Sequence, residues 1–341
     1  MKAYQMGAQQ DLSSLHLGER PDPVAGPGQA LLKVRMVALN HRDLLAIGGR
    51  YGPRRPETRV PLSDGVGEVL ALGPGVQGLK PGDRVVCPHF AGWLDGAWSP
   101  LHLGNDLGIS QDGWLAEKIV VPANALVTLP DSLSDEQAVV LPAAGTTAWN
   151  ALVRLGRVKA GDLVLTLGTG GASLLMLQLA RLHGARVAIT SSSDDKLARM
   201  RDLGAEITVN YRTHPAWGAE VYKASGGAGA DIVLETGGLD TMDQSIEAAA
   251  VNGRIGLIGG LGAPSSGLAA TSNALGWVVK NLSIFGITSG SRAMLAELVR
   301  AVAGRGFDPV IHRCFAFDEA AAAYACLKSG EHIGKIALRV G

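Results

Sequence analysis

Hydrophobic and polar positions along the chain follow two patterns, and one replaces the other near residue 128. Up to about residue 127, short runs of β-favouring residues such as 30–37 (ALLKVRMV) and 65–70 (GVGEVL) are separated by Gly-Pro and Pro-Gly turns. This first part of the chain is therefore predicted to be mostly β-structure.

From about residue 128, apolar segments, glycine turns and segments with helical periodicity alternate. This alternation is typical of an α/β protein in which a parallel sheet is covered by helices on both faces. Six strands are predicted in order, at 163–167, 186–190, 206–209, 231–234, 254–258 and 282–287. Helical runs accompany them at 195–203, 241–250 and 292–303.

After about residue 304 the pattern changes again, through 307–317, an Ala-rich helix at 319–328 and a strand at 335–340. This tail is too short to fold alone, so we expect it to return to the first domain. The predicted organisation is one domain from residues 1–127 and 304–341, and a doubly wound parallel-sheet domain from residues 128–303.

Composition and charge exclude several classes of protein. Lys plus Arg and Asp plus Glu are both 31, so the net charge is zero and a nucleic-acid role is disfavoured. Three widely spaced cysteines build neither a disulfide framework nor a four-cysteine zinc site, which favours a reducing cytoplasm. The first residues do not resemble a secretory signal. The uncharged run 255–279 contains glycine, proline and serine, so a strand plus a loop is predicted there, with no membrane span.

The sharpest local motif is a glycine turn between the apolar segment 163–167 and a helix that is apolar nearly all round. The turn reads Gly168, Thr169, Gly170, Gly171, Ala172 and Ser173. Glycines permit the tight turn and let the backbone approach a pyrophosphate, whose charge lies at the helix N-terminus. The third glycine of the dinucleotide fingerprint is replaced by Ser173. The motif predicts nucleotide binding, although an ordinary strand-to-helix turn has similar glycines.

The end of the second predicted strand indicates which nucleotide is bound. An acidic residue about 20 positions after the glycine turn would hold the ribose hydroxyls of NAD(H). Here the strand leads into Ser191, Ser192 and Ser193, with Asp194 as the first carboxylate and Lys196 close by. Hydroxyls and a lysine suit a 2′-phosphate, so NADP(H) is favoured. Alternatively, the serines cap the following helix, and both roles are compatible.

With the turn in the second half of the chain, the whole sequence resembles the zinc-free, quinone oxidoreductase-like branch of the medium-chain dehydrogenases/reductases. The resemblance covers nearly the whole chain and rests on segments in family order: 37–43 (VALNHRD), 65–69 (GVGEV), 80–85 (KPGDRV), 113–117 (GWLAE), 142–149 (PAAGTTAW) and the Gly168 turn. It implies a GroES-like β domain, a six-stranded Rossmann domain and a C-terminal return to the first.

The resemblance also implies that no catalytic zinc is bound. Asn40 stands where zinc alcohol dehydrogenases have a cysteine ligand, Ser63 and Asp64 replace a His-Glu pair, and the third ligand position falls on Ala143. Catalytic zinc needs three protein ligands. The four-cysteine structural lobe is absent too, with Cys87 alone nearby. His89 is interpreted as a hydrogen-bonded residue.

By resemblance, Asn40 and Tyr51 line the substrate side of the nicotinamide and Asp43 orients its neighbours, while Arg42 stands where zinc enzymes have a Ser or Thr proton relay. The cofactor contacts implied in the same way are Gly168, Gly170, Gly171, Ala172, Ser173, Thr147, Ser191, Lys196, Tyr211, Gly259, Gly260, Arg292 and Lys335. For the region of Arg292 and for Lys335, the alternatives are helix capping at Ser291 and solvation at a strand start. Strand 282–287 would be the edge through which family members pair, so a homodimer or homotetramer is expected.

Three functions follow as hypotheses. The first is an NADPH-dependent, zinc-independent transfer of hydride to a quinone or an α,β-unsaturated carbonyl, which disperses the incoming charge without a Lewis acid. The second is a zinc-free alcohol dehydrogenase or aldehyde/ketone reductase, with His41, Arg42 and Tyr51 as candidate acids. The third is an NADPH-binding redox sensor without turnover. The substrate itself cannot be read from the sequence.

Overall fold

A computed structural model describes residues 1–259 and 274–341. The strands in these residues are β1 Lys2–Gln5, β2 His16–Glu19, β3 Gln29–Leu39, β4 Asp64–Leu72, β5 Arg84–Val86, β6 Lys118–Pro122, β7 Val127–Thr128, β8 Leu163–Leu167, β9 Arg186–Ser191, β10 Ile207–Asn210, β11 Ala230–Glu235, β12 Ala249–Leu257, β13 Ser283–Gly286, β14 Ile311–Ala316 and β15 Lys335–Arg339. The α-helices are α1 His41–Ile47, α2 Asp135–Val139, α3 Thr146–Trp149, α4 Gly171–Leu182, α5 Asp194–Asp202, α6 Trp217–Ala224, α7 Leu239–Ala248, α8 Ala274–Val279, α9 Arg292–Val302 and α10 Ala320–Ser329. Wider π-helical turns at Leu141–Gly145 and Asn150–Leu155 flank α3.

The chain divides into two units, with boundaries between Thr146 and Thr147 and between Ser289 and Gly290. The first unit contains residues 1–146 and 290–341, and the second contains residues 147–289. Residues 128–146 and 290–303, which the sequence pattern assigned to the parallel-sheet domain, thus lie in the first unit. The reason is local packing: a Cβ on Gly145 would stand 2.9 Å from the Leu298 side chain, so α9 lies directly against the Leu141–Gly145 turn.

A mostly antiparallel sheet, in the order β14-β15-β3-β4-β5-β7, forms the centre of the first unit, and β6 pairs with β3 beside it. Ala30, Leu32 and Val34 are buried while Lys33 is exposed, so this part of β3 has the alternation of a half-buried strand. The fully buried Trp114 packs across β4, where a Cβ on Gly65 would lie 2.3 Å from the indole ring. Glycine at that position is therefore required by the close approach of the ring.

The second unit is a six-stranded parallel sheet in the order β10-β9-β8-β11-β12-β13. All six strands match strands expected from the sequence to within one residue at their ends, except that β12 begins five residues earlier than predicted. Every residue of β8 is buried, as expected of a central strand covered on both faces. The strand order changes direction between β8 and β11. In open parallel sheets, the crevice at the carboxyl ends of two such strands is where ligands bind.

Two sequence expectations need correction in this unit. The predicted helix 241–250 ends at Ala248, because Ala249 already pairs with Ala230 in the sheet. The uncharged run 255–279 was expected to be strand and loop, but residues 274–279 form α8. Residues 260–273 of that run lie outside the described residues. Within the described part of the chain, no helix is long and apolar enough to cross a membrane.

Candidate active site

The glycine turn after β8 leaves space and hydrogen-bond donors at the start of α4. Gly168 has a φ of +74°, which favours glycine, and its N–H donates to the Thr190 carbonyl at 2.9 Å. No described atom lies within 4 Å of a Cβ built on Gly168 or Gly170. No side chain caps α4, so the first-turn N–H groups of Gly171, Ala172 and Ser173 remain for an anion. These residues fit the pyrophosphate of a dinucleotide.

Ser173 performs a different task from the glycine it replaces in the fingerprint. Its Oγ donates to the Leu167 carbonyl at 2.6 Å, which fastens the first turn of α4 to the end of β8. The same carbonyl accepts a bond from Thr236 Oγ1 at 3.0 Å. The ends of β8 and β11 are thereby joined at the point where the strand order reverses. Sequence interpretation did not single out Thr236.

A buried carboxylate shapes the loop after β11. Glu235 accepts bonds from the Gly237 and Gly238 N–H groups at 2.6 and 2.9 Å, and from Thr241 and Ser245, both at 2.6 Å. Burial raises the pKa of Glu235, and these donors act in the opposite direction. Gly259 packs against this loop, since a Cβ on it would lie 2.3 Å from the Gly238 nitrogen. Gly260, predicted as its partner in cofactor binding, lies outside the described residues.

Hydroxyls and basic residues surround the end of β9. Ser191 is the last residue of the strand, and its carbonyl accepts the Tyr211 N–H at 3.0 Å. Ser193 caps α5 by accepting the Lys196 N–H at 3.3 Å, so the capping role is present beside the proposed phosphate role. The Asp194 carboxylate accepts a bond from the Asn210 amide at 2.9 Å.

The structure adds a basic residue to this group that sequence interpretation missed. Arg212 is exposed and directly follows Tyr211, which is itself 41% exposed. A basic residue just after the third strand of the parallel sheet was the available signal. Together with the half-buried Lys196, it places two basic residues just after the neighbouring strands β9 and β10.

Thr147 and Arg292, two further residues predicted to bind the cofactor, belong to different units. Thr147 is buried on α3, as the first residue of the second unit. In the first unit, the Arg292 guanidinium donates to the Leu126 carbonyl through Nε and Nη2 at 3.2 and 3.1 Å, and Ser291 caps α9 by accepting the Met294 N–H. The Arg292 guanidinium is thus bonded to main chain of its own unit.

In the first unit, Asn40 lies at the centre of a buried polar network. It follows β3 and precedes α1, and its N–H donates to the Asp43 carboxylate at 2.7 Å. Its amide nitrogen donates to Asp64 at 3.0 Å and makes a longer contact of 3.4 Å with Ser63 Oγ. Its amide oxygen accepts a bond from the Lys335 ammonium at 2.6 Å. Ammonium groups only donate and carboxylates only accept, so this pair fixes which way the amide points.

Lys335 was expected to contact the phosphate or carboxamide of the cofactor, and the structure places it in this network. Its side chain is 4% exposed. Besides Asn40, the ammonium donates to the Leu39 carbonyl at 2.6 Å and lies 3.7 Å from Asp64. Burial lowers the pKa of Lys335, while Asp64 and Asp43 oppose that shift.

Asp43 is the other ionisable group beside Asn40. It is buried in α1 with only 3% of its surface exposed. Burial raises the pKa of Asp43 to about 7, even though Arg42 and the Asn40 N–H favour its carboxylate form. Asp43 therefore changes charge near neutral pH.

Tyr51 lies against a buried cluster of charged and polar side chains that no sequence motif predicted. The Arg42 guanidinium donates from Nη2 to both carboxylate oxygens of Asp106 at 2.7 Å and from Nη1 to His89 Nδ1. It also lies over the Tyr51 ring, 5.0 Å from the centroid. His89 and Asp106 stand 47 and 64 residues from Arg42 along the chain, so only the fold brings them together.

Electrostatics fixes the protonation states in this cluster. Burial and the adjacent Arg42 lower the pKa of His89, so its imidazole is neutral at neutral pH and Nδ1 accepts from the guanidinium. Burial raises the pKa of Tyr51, which keeps its phenol protonated. Among the described residues, the Tyr51 hydroxyl makes no hydrogen bond, although its ring packs against Met6, Ala46 and Ile109. The phenol is therefore an available proton donor.

The residues at the positions of the family's zinc ligands do not fit a metal ion. In residues 1–259 and 274–341, no three His, Cys, Asp or Glu side chains are grouped so that they could hold one. The Asn40 oxygen and the Asp64 carboxylate are already engaged with the Lys335 ammonium. Burial raises the pKa of the nearby Cys87 thiol, which disfavours the thiolate that zinc binds.

A parallel sheet with an open glycine turn at its switch point, together with a GroES-like β unit that carries a buried polar network, defines a medium-chain dehydrogenase/reductase. Comparisons with known proteins agree. Residues 26–131 match the family described as "Alcohol dehydrogenase GroES-like domain", and residues 171–304 match "Zinc-binding dehydrogenase".

Similar proteins extend over nearly the whole chain. A zinc-type alcohol dehydrogenase-like protein of Schizosaccharomyces pombe is 39% identical over 92% of this chain and 91% of its own length. An acryloyl-coenzyme A reductase of Metallosphaera sedula is 31% identical over 94% of this chain and 95% of its own. A solved structure named NAD-dependent alcohol dehydrogenase covers 100% of both chains with 36% identity and a TM-score of 0.88. The chain belongs to the zinc-type alcohol dehydrogenase family of NAD(P)-dependent oxidoreductases.

Proposed function

We propose that this protein is an NADPH-dependent, zinc-independent oxidoreductase that transfers hydride to a quinone or an α,β-unsaturated carbonyl. The observation that carries the proposal is the orientation of the Asn40 amide, which Lys335 and Asp64 fix at a position where the family's zinc enzymes have a metal ligand. A hydrogen-bond donor held in one orientation can stabilise negative charge that develops on a carbonyl oxygen.

Bound NADPH would supply the hydride, and side chains of the protein supply the hydrogen-bond donor and the proton donor. The Asn40 amide nitrogen carries two hydrogens, of which one is directed to Asp64 at 3.0 Å. The other makes only the 3.4 Å contact with Ser63, so it is the hydrogen offered to a substrate oxygen. One neutral amide stabilises an oxyanion less than a metal does. The acceptors it suits best are those that spread the charge by conjugation.

Tyr51 completes the reduction by supplying a proton. Its phenol is protonated at neutral pH and has no hydrogen-bond partner among the described residues. With an enone, bound NADPH would supply the hydride to the β-carbon, and the Tyr51 phenol would supply the proton to the α-carbon or the oxygen, so that the C=C bond would be reduced to a single bond. The phenol would recover its proton from solvent.

The preference for NADPH rests on the end of β9. Ser191 ends that strand, and the first carboxylate after it, Asp194, is engaged by Asn210. Lys196 follows β9, and Tyr211 and Arg212 follow its neighbour β10; these basic and hydroxyl side chains suit a 2′-phosphate. The NAD-dependent relative in the comparisons makes cofactor choice a direct test of this assignment.

Two alternatives compete with this proposal. An alcohol dehydrogenase or aldehyde/ketone reductase is supported by the names of several relatives, whereas the acryloyl-coenzyme A reductase supports reduction of an activated double bond. A redox sensor without turnover would have no use for the unpartnered Tyr51 hydroxyl. We favour the reductase because the metal-free donor set suits conjugated acceptors.

The proposal includes a homodimer or homotetramer in the cytoplasm. Among the described strands, β13 pairs with β12 alone and lies at the edge of the parallel sheet. On α8, which precedes it, Leu275, Val278 and Val279 are 74, 76 and 70% exposed. An exposed apolar helix beside an open strand edge is a surface that a second copy would cover. Analytical ultracentrifugation tests the oligomeric state.

Cofactor oxidation, followed by near-ultraviolet absorbance, tests the function. NADPH and NADH are each offered with quinones, enones, aldehydes and ketones, with and without EDTA. Turnover of quinones or enones with NADPH, unchanged by EDTA, is expected. Preference for simple ketones would favour the second function, and binding of NADPH without turnover of any acceptor would favour the sensor.

A further inference from the structure

Three arginines without acidic partners flank Tyr51. Arg50 and Arg54 are exposed and Arg55 is half-buried. None of the three forms an ion pair with a carboxylate in the described part of the chain. By contrast, Arg20 and Arg59 share the carboxylate of Asp112, at 3.0 and 3.2 Å. Three arginines that form no ion pair within the described residues thus stand within six residues of one another, in a chain whose net charge is zero.

The backbone that presents these arginines is held rigidly. The side-chain amide of Gln9 donates to the Arg55 carbonyl at 2.7 Å and accepts the Arg55 N–H at 2.9 Å. Gln9 is 2% exposed and has a φ of +52°, a conformation that costs free energy in a residue other than glycine. A Cβ on Gly49 would lie 2.6 Å from the Gln9 carbonyl, so the loop approaches this segment closely. The backbone at Arg55 is thus fixed by Gln9, while the three guanidinium groups form no ion pair in residues 1–259 and 274–341.

Two of these guanidinium groups, those of Arg50 and Arg55, lie beside the glycines that precede and follow Tyr51 in the first unit. A Cβ on Gly52 would lie 3.6 Å from Arg55 Nη2, and a Cβ on Gly48 would lie 3.5 Å from Arg50 Nε. Burial lowers the pKa of Arg55. The charges of Asp106 and Tyr51 oppose this shift, and the charge of Arg42 adds to it. Arg55 therefore belongs to the same electrostatic neighbourhood as the proposed proton donor. Positive charge there attracts an anion rather than a neutral substrate.

We propose that Arg50, Arg54 and Arg55 bind an oxyanion group, phosphate or carboxylate, of the substrate that this protein reduces. The inference rests on the proposed function and narrows its substrate class to acceptors that carry such a group in addition to the reacting double bond. Guanidinium groups suit both phosphate and carboxylate, because their planar donors match two oxygens at once. A loop fixed by Gln9 lowers the entropy lost when the anion binds.

Matched pairs of acceptors test the proposal, because each pair shares a reacting group and differs in charge. Crotonyl-coenzyme A is compared with the crotonyl thioester of N-acetylcysteamine, and 4-oxopent-2-enoate with pent-3-en-2-one. We expect the charged member of one pair to have a KM lower by about tenfold, a difference that rising salt reduces. The pair that shows the preference identifies phosphate or carboxylate as the anion.

Substitutions then assign the preference to these arginines. The triple variant Arg50→Gln, Arg54→Gln, Arg55→Gln is expected to lose the tenfold preference and to leave the neutral acceptor within about twofold. The corresponding triple lysine variant should keep part of the preference, because it retains the charge. The control is Arg157→Gln, Arg300→Gln, Arg305→Gln, which removes the same charge from three other exposed positions and should change nothing.

Binding measured without turnover separates this proposal from the reductase proposal. Calorimetry with coenzyme A and with 4-oxopentanoate, both in saturating NADPH, should show binding of one ligand that the triple glutamine variant loses. The proposal is overturned if neither charged acceptor is preferred and neither ligand binds. Equal losses for charged and neutral acceptors, or an equal effect of the control variant, would also overturn it.

Discussion

The Lys335 ammonium lies 2.6 Å from the Asn40 amide oxygen, although 295 residues separate the two along the chain. Pairing of β15 with β3 brings them together, with Ile336 opposite Leu39 in the antiparallel register. The bond leaves the amide nitrogen facing Asp64. In the proposed reaction, Lys335 is a positioning residue for a donor that directly follows another strand.

Lys335→Met is expected to lower kcat with an enone by about tenfold to hundredfold, because the freed amide rotates away from its donating orientation. The affinity for NADPH, measured by fluorescence titration, should stay within about twofold, since the ammonium is bonded inside the first unit. Lys335→Arg should restore part of the activity. Lys33→Met, at an exposed position of β3, serves as the control.

A fall in NADPH affinity that is larger than the fall in NADH affinity would contradict this account, because it would show that Lys335 binds the 2′-phosphate. The double variant with Asn40→Ala adds a second check. If Lys335 acts through Asn40, its substitution should have little further effect on kcat once the amide is gone.

Tyr51→Phe is expected to reduce kcat by about hundredfold while leaving the protein folded, because only the proton-donating hydroxyl is removed. The ring, which lies under Arg42, is kept. The same change at Tyr222, whose ring contacts Lys280 in the second unit, should leave kcat unchanged. Near-wild-type activity in Tyr51→Phe would assign proton donation to another group or to water.

Ser191→Asp tests the choice of cofactor. A carboxylate at the end of β9 repels a 2′-phosphate, so the affinity for NADPH should fall on the order of tenfold or more while that for NADH holds or rises. Ala224→Asp, at an exposed position of α6, adds the same charge elsewhere as the control. A wild-type preference for NADH would refute the assignment before any substitution is made.

Dialysis against a strong chelator should change neither the activity nor the melting temperature. The residues at the ligand positions already satisfy one another through the Lys335, Asn40 and Asp64 network. Elemental analysis of the purified protein supplies the independent measurement. Loss of activity on dialysis that zinc restores would show that a metal is part of the site.

Asp43 predicts a pH dependence of stability. Burial raises its pKa from 3.8 to about 7, so the folded state binds more protons than the unfolded state between these two values. Its contribution to stability is present below the lower value and is lost as the pH rises through the upper one, by at most about 1.4 kcal/mol per pH unit.

Asp43→Asn should remove this dependence, so that the variant gains on the wild type in melting temperature up to about pH 7 and keeps a constant difference above it. Asp202→Asn, at an exposed position, is the control. A constant difference between Asp43→Asn and wild type across the whole range would mean that Asp43 has an ordinary pKa.

The parallel sheet could be predicted from the sequence because its information is local. In β8, for example, four of the five residues are apolar and all are buried, and the glycine turn after it predicts the helix that follows. Boundaries were less certain where neighbours decide them: Ala249 joins the sheet through Ala230 on another strand, which shortens α7. Periodicity within one segment does not contain that partner.

The candidate site was only partly predictable for the same reason. Asn40, Tyr51 and Ser191 stand in motifs that resemble a known family, so their positions could be singled out. The contacts of Arg42 with His89 and Asp106, and of Lys335 with Asn40, join distant parts of the chain. Lys335 was assigned to the cofactor by family resemblance, and its position at a strand start does not reveal the Leu39 carbonyl and the Asp64 carboxylate that lie beside its ammonium.

The order of the units along the chain has a consequence for biosynthesis. The second unit, residues 147–289, is inserted between two parts of the first, and β15 pairs with β3 only after that insertion has been made. Until then, a chain emerging from the ribosome exposes the backbone of β3 on one side and leaves Asp64 without its cation. One edge of β3 therefore stays unpaired while more than a hundred residues are translated. During that time the exposed edge is a binding surface for a chaperone.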